Sequence, residues 1–130
     1  MTLKSLLALP FTAALLSTTT PVIAEQSGFY LVDILTLHDG KTAADADAYF
    51  ELIEPIVAAH GLERALVQLE IAKVLRGDVS ENLLNVWTVS DPETTMGAIF
   101  NDETYTQHIP LRNSIFDLEN STVMILNSGK

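Results

Sequence analysis

One carboxylate stands where carboxylates are costly. Asp33 occupies the middle of Phe29-Tyr30-Leu31-Val32-Asp33-Ile34-Leu35-Thr36-Leu37, with apolar residues on both sides. An acid in such a run must be paired, hydrated or kept neutral, because a lone buried charge is expensive. Burial raises a carboxyl pKa and suits a general base. The same position also fits a wet subunit interface, or an ion pair with Arg112 or Lys73, since structural pairs perturb pKa values as well. Tyr105, His108 and Arg112 form a second group. Their spacings of three and four set them on one helical face provided that Pro110 does not break the helix. A His beside an Arg and a Tyr suits binding a carboxylate or enolate and moving a proton. The plainer reading is a helix edge whose long side chains lie along the surface. Tyr49 and Trp87 serve either as walls of a pocket or as ordinary core. The candidate site is therefore Asp33 and His108 for catalysis, with Tyr49, Trp87, Tyr105 and Arg112 for ligand binding.

Other chemistries are disfavoured. The chain has no cysteine, so thiolate nucleophiles, disulfides and Cys-based metal sites are absent. His38, His60 and His108 lack two-ligand spacing, and no metal site is expected. A Gly-rich phosphate loop and a nucleophile elbow are both missing, and no cofactor is expected.

The elements that must position these residues follow from pattern. Residues 28–37 are aromatic and β-branched, which predicts a strand with Phe29, Leu31, Leu35 and Leu37 on one face and Tyr30, Val32 and Ile34 on the other. Both faces are apolar, so both should be covered. After the turn His38-Asp39-Gly40-Lys41, a stripe of Ala46, Tyr49, Phe50, Ile53, Val57 and His60 predicts a helix over 43–60, kinked at Pro55 and stopped at Gly61. Residues 63–76 fit a strand or a helix equally, and periodicity does not decide. Leu83 to Val89 is a strand containing Trp87. Ser90-Asp91-Pro92-Glu93 starts a helix to about Phe100. Asn101-Asp102-Glu103 starts another, Pro110 interrupts it, Leu111 to Phe116 adds a further helical turn, and Thr122 to Leu126 closes as a strand.

The N-terminus has the grammar of export: Lys4, an apolar stretch Leu6 to Leu16, then small residues up to Ala24. The stretch is too short, and too broken by Pro10, for a membrane span. Cleavage leaves 106 residues, in which all 17 acids face 6 bases, a net charge of −11. That length suits one domain, 25–130, that gains from oligomerisation. Such a charge disfavours nucleic acid and anionic membranes, so neither is an expected partner of the mature chain.

Taken together, the strand Phe29 to Leu37, the helix with Tyr49, Pro55 and the His60-Gly61 end, Val74-Leu75-Arg76-Gly77, Trp87 with Ser90-Asp91-Pro92-Glu93, Ile99 through Tyr105, and Leu111-Arg112 resemble the dimeric α+β barrel superfamily and its small ferredoxin-like domains. The resemblance spans nearly all of the mature chain. It implies an α+β fold: a βαββαβ split unit with the ambiguous segment as a strand, a four-stranded antiparallel sheet with helices on one face, and a second subunit on the other. Relatives range from cofactor-free monooxygenases to haem-degrading enzymes, lyases and isomerases, so no reaction is implied. The haem-degrading and quinone-forming relatives use an Asn on the first strand with a Trp and a His beyond. Here the first strand has no Asn and His108 lies 21 residues past Trp87, so that mechanism does not carry over.

Two functions remain. One is a periplasmic or secreted homodimer that binds or transforms a small organic molecule without a cofactor. The other is a non-catalytic exported interaction or stress-related domain with a filled core. A cavity of roughly a few hundred cubic ångströms lined by Asp33, Trp87 and His108 supports the first, and a filled core the second. Export itself is tested by intact mass: protein made in a bacterial host should begin near Glu25, and a full-length cytoplasmic product overturns the expectation.

Overall fold

The computed structural model describes residues 28–129; the expected signal segment, 1–24, lies outside them. Strand β1 (Phe29–Leu37) alternates as its sequence requires, with Leu31, Asp33 and Leu35 buried on one face. Asp33 thus belongs to the same face as the core leucines. Helix α1 (Ala43–Ala58) begins in a reciprocal capping box, in which Thr42 caps the Asp45 N–H and the Asp45 carboxylate accepts from the Thr42 N–H. It buries Ala46, Tyr49, Phe50, Ile53 and Val57, runs through Pro55 and ends two residues before the expected His60. His60 instead turns its Nε2 onto the Asp102 carboxylate at 2.7 Å, tying the end of α1 to a later helix start. That bond, then the Thr104 N–H, hold the Asp102 carboxyl at about 2.

The ambiguous segment is an interrupted edge strand, not a helix. β2 (Leu62–Arg64) and β3 (Leu69–Glu70) both pair antiparallel with β4 (Leu83–Val89), in registers that differ across residues 65–68. The register shifts by two residues, so the alternation of faces is kept while the pairing is interrupted, and each paired piece is too short for its period to be told from a helical one. Helix α2 (Pro92–Phe100) is capped by the Asp91 side chain on the N–H groups of Glu93 and Thr94. Short helices α3 (Glu103–Thr106) and α4 (Ile109–Ile115) follow, and β5 (Phe116–Asn127) closes the chain. β5 begins six residues earlier than the expected Thr122. Its register against β1 shifts between Ile34 and Thr36, and there Ser121 Oγ accepts from the Thr36 N–H at 2.9 Å. This irregularity accommodates Glu119-Asn120, between the expected helical turn ending at Phe116 and the expected strand from Thr122.

The sheet order is β2-β4-β1-β5, with β3 continuing the edge occupied by β2. All strand pairs are antiparallel, and the arrangement is the four-position ferredoxin-like sheet. The helices lie on one face. Their buried residues form a single core with Leu31, Leu35, Leu83, Trp87, Val89 and Phe116. The other face presents Tyr30, Val32, Ile34, Leu84 and Val86, half-buried, then Met124 and Leu126, exposed. No element of the described chain covers it.

Gly61 makes the α1–β2 turn possible. Its φ is 90°, and a Cβ there would run into Ser90 Oγ, whose own backbone N–H donates to the Gly61 carbonyl. Gly61→Ala is expected to destabilise by about 1–3 kcal/mol or more through strain and overlap together. Urea unfolding checks this, and a change below a few tenths of a kcal/mol would contradict it.

Candidate functional site

The helices do not fill the space above the sheet. A cavity of about 170 Å³ lies between them, and Asp33, Tyr49, Trp87, Tyr105 and Arg112 all line it. Five of the six residues singled out by sequence therefore meet in one place. The remaining wall is apolar and includes Phe50, Met96, Leu118 and Val123. Leu118, Val123 and Phe100 are also exposed, so the cavity opens toward β5 and the end of α2.

Asp33 is brought here by strand alternation and held by one strong partner. The indole N–H of Trp87 donates to its Oδ2 at 3.0 Å. Leu31 is the direct cross-strand partner of Trp87, so the indole reaches Asp33 diagonally. Burial pushes the Asp33 carboxyl from 3.8 to about 6, against the Trp87 hydrogen bond and the Arg64 charge, which pull it down. Neither Arg112 nor Lys73 is its partner: the expected ion pair is replaced by a neutral donor and a cation at longer range.

Arg64 is the residue that sequence reasoning missed beside the Asp33–Trp87 pair; it stands behind Phe50 and Trp87 and does not line the cavity. Its guanidinium lies over the Phe50 ring at 4.6 Å and the Trp87 ring at 5.3 Å. Its Nε stands 3.0 Å from Glu54 Oε1, close enough for attraction but without hydrogen-bond alignment, since Nε and Nη2 count as unpartnered. The attraction is electrostatic and the Glu54 side chain is partly solvated, so it is worth little. The only signal was a basic residue in an apolar segment, and the shortness of the paired pieces hid its face.

The second group divides. Arg112 Nη1 donates to the Tyr105 hydroxyl at 3.3 Å and Nε to Asn113 Oδ1 at 3.1 Å. Tyr49 completes a row: burial first, then the neighbouring Tyr105 and a hydrogen bond with it, hold its hydroxyl far above the ordinary phenol range, so it stays a proton donor. His108 is not in the cavity. The expected helix is broken, α3 ends at Thr106, and His108 caps α4 with Pro110 in the first turn. The break moves His108 off the line of Tyr105 and Arg112, and it leaves the candidate site.

An acid, a phenol and a guanidinium in an apolar cavity suit accepting a proton at Asp33 and holding an oxygen anion at Tyr105 and Arg112. Among the described residues no three His, Asp or Glu side chains are grouped to hold a metal. The raised Asp33 carboxyl also sets a sign. Its neutral form is the one the fold favours, so stability from this group is complete below about 3.8 and is lost as pH rises to about 6. Asp33→Asn keeps an acceptor for the Trp87 N–H and should melt higher than wild type at pH 7, by the equivalent of up to ~3 kcal/mol. The advantage should vanish below pH 4. A large drop in melting temperature for the variant at pH 7 would instead mean that the charge is structurally paired.

No protein-family model matches the chain, and no curated protein matches it. Solved structures do. RPA0582 from Rhodopseudomonas palustris, a protein of unknown function, superposes with a TM-score of 0.61 at 15% identity, over 78% of this chain and 82% of that one. A NIPSNAP-family protein of unknown function from Agrobacterium tumefaciens gives 0.56 at 12% identity, over 79% and 89%. A dimeric ferredoxin-like protein of unknown function from Thermobifida fusca gives 0.51 at 8% identity, over 79% and 92%. At such identities the likeness speaks for architecture. The chain has the ferredoxin-like α+β fold.

Proposed function

We propose that this chain is an exported homodimer that binds one small, largely apolar organic molecule and moves a proton on it without a cofactor. The observation that carries this is Asp33: a buried carboxyl, raised to about 6, on the wall of an open apolar cavity. A core that needed only stability would place a leucine there. Size narrows the ligand. A closed apolar cavity of about 150 Å³ holds a benzene ring, so one ring with a short substituent suits this cavity of about 170 Å³. In the reaction the ionised Asp33 takes a proton from an acidic C–H or O–H. The electron pair moves onto the substrate oxygen, and Arg112 with Tyr105 balances the charge there. The non-catalytic alternative called for a filled core; the cavity of about 170 Å³, lined by Asp33 and Trp87 though smaller than expected and without His108, supports the binding reading.

The homodimer reading rests on the outer sheet face. Tyr30, Val32, Ile34, Val86, Met124 and Leu126 form an apolar surface that a second copy would cover sheet to sheet. The dimeric ferredoxin-like neighbour supports it.

A thermal-shift screen of single-ring phenols and cyclic 1,3-diketones tests the ligand class. Binders should raise the melting temperature, and their C–H positions should exchange with D2O faster in the presence of protein. Exchange should rise with pH through an ionisation near 6 and fall at least ~100-fold in Asp33→Asn. Exchange unaffected by Asp33→Asn would sink the mechanism. Light scattering at micromolar concentration should give twice the chain mass, and a monomer would refute the assembly.

A further inference from the structure

The core carries a second anomaly, one strand away from Asp33. Asn85 is fully buried, and neither Oδ1 nor Nδ2 of its carboxamide has a hydrogen-bond partner. An unmet buried amide is costly and rare. Asn85 is the direct cross-strand partner of Asp33, so the two side chains stand side by side on the helix-covered face. On the other side of β4, Gln68 immediately precedes β3, whose Leu69 pairs with Leu84, the neighbour of Asn85. Gln68 is half-buried; its Nε2 donates to the Ala43 carbonyl at the start of α1, and its Oε1 is buried and unpartnered. Asp33 and Asn85 therefore form a polar row across β1 and β4 that leads toward Gln68 in the break of the edge strand. Arg64, with unpartnered Nε and Nη2, flanks it at the pair with Trp87. Among the described residues, every buried side-chain atom without a partner belongs to Arg64, Gln68 or Asn85. The row ends where the edge strand is broken at 65–68.

We propose that Asn85 is a positioning residue at the centre of a buried water path, in which water bound to its carboxamide links Asp33 to Gln68 and carries protons between the Asp33 carboxyl and solvent. This rests on Asp33 acting as the proton acceptor. A ligand seated in the cavity closes the Leu118–Val123 side, so a protonated Asp33 needs another exit. The carboxyl gives its proton to the adjacent water, and that chain releases one to bulk water at the β2–β3 edge. Asp33 is left ionised, and no electrons are transferred. A carboxamide with one free acceptor and one donor group is suited to bind water on both sides, which needs two to four polar partners. The groups facing Asp33 from other elements are Trp87 on β4, Arg64 on β2, Tyr49 on α1, and Tyr105 and Arg112 on α3 and α4. None of them leads from Asp33 along β4 to the edge.

The test uses the full chain in two ways. A high-resolution crystal structure of the wild type should show ordered water hydrogen-bonded to Asn85, with a further one at Gln68 Oε1. Carboxyl-carbon NMR should find the Asp33 titration near pH 6 in wild type and higher in Asn85→Leu, because a drier neighbourhood disfavours the charge. At a pH where Asp33 is neutral, the melting temperature of Asn85→Leu should be unchanged or higher, since a buried amide and its water are replaced by an apolar side chain of similar volume. If Asn85→Leu does not fold, Gln68→Met gives the same reading with a smaller rise. Direct protein hydrogen bonds to the Asn85 carboxamide with no water beside it overturn the proposal. So does an Asp33 titration that neither variant moves. Because these measurements need no turnover, they stand or fall apart from the exchange test of Asp33 itself.

Discussion

The hydrogen bond from the Trp87 indole to Asp33 is the constraint around which the site is arranged. It joins two central strands diagonally and fixes the face on which the acid lies. A one-residue slip between β1 and β4 would send Asp33 to the outer sheet face and bring Val32 or Ile34 into the cavity. The indole ring is itself clamped: Phe50 from α1 packs against it with centroids 5.7 Å apart, and the Arg64 guanidinium lies over it. Sheet register, helix packing and the protonation of one carboxyl are thus a single problem. The indole stabilises the charged acid by one bond while the surrounding core opposes it, and the outcome is a carboxyl poised near 6.

The remaining polar wall depends on a helix that fails to continue. An unbroken helix would place Tyr105, His108 and Arg112 in one line. Ending α3 at Thr106 and restarting at Ile109 drops His108 and still brings Arg112 onto the Tyr105 hydroxyl. Pro110 fits the first turn of α4, where a missing N–H does no harm. Beyond α4 the chain passes directly into β5, whose early residue Leu118 lies at the cavity opening.

The legible parts of this protein were those governed by a single period. The core stripe of α1 from Ala46 to Val57, the alternation of β1 and β4, and the Asp91-Pro92 helix start each depend on local rules that the structure obeys. The resemblance supplied the sheet order, which no local pattern contains. Three features escaped because two rules competed. The edge strand is paired only over Leu62–Arg64 and Leu69–Glu70, pieces too short to show a period, and Arg64 was lost with it. β5 begins within Phe116-Asp117-Leu118-Glu119, whose polar residues suggest a turn but stand at a sheet edge open to solvent. His108 required a judgement about Pro110 that spacing alone does not provide. Asn85 was readable in principle, since alternation puts it with Leu83, Trp87 and Val89 on the buried face, yet an Asn in a strand attracts less notice than an Asp.

The distribution of unmet polarity says more than its amount. Scattered orphan groups would indicate loose packing, each lowering stability on its own account. Here the polar exceptions are gathered on adjoining strands: Asp33 and Asn85 pair at one level of β1 and β4, Arg64 pairs with Trp87 one same-face position along, and Gln68 lies in the break of the edge strand. Leu31 and Leu35 on β1, and Leu83 and Val89 on β4, bury clean apolar surface on either side of that level. Apolar replacements of similar volume exist for each polar member, and they would strengthen the core. A sequence that confines its violations to one patch, and sets that patch against the only acid on the cavity wall, has its local conflicts where a binding site has its own requirements.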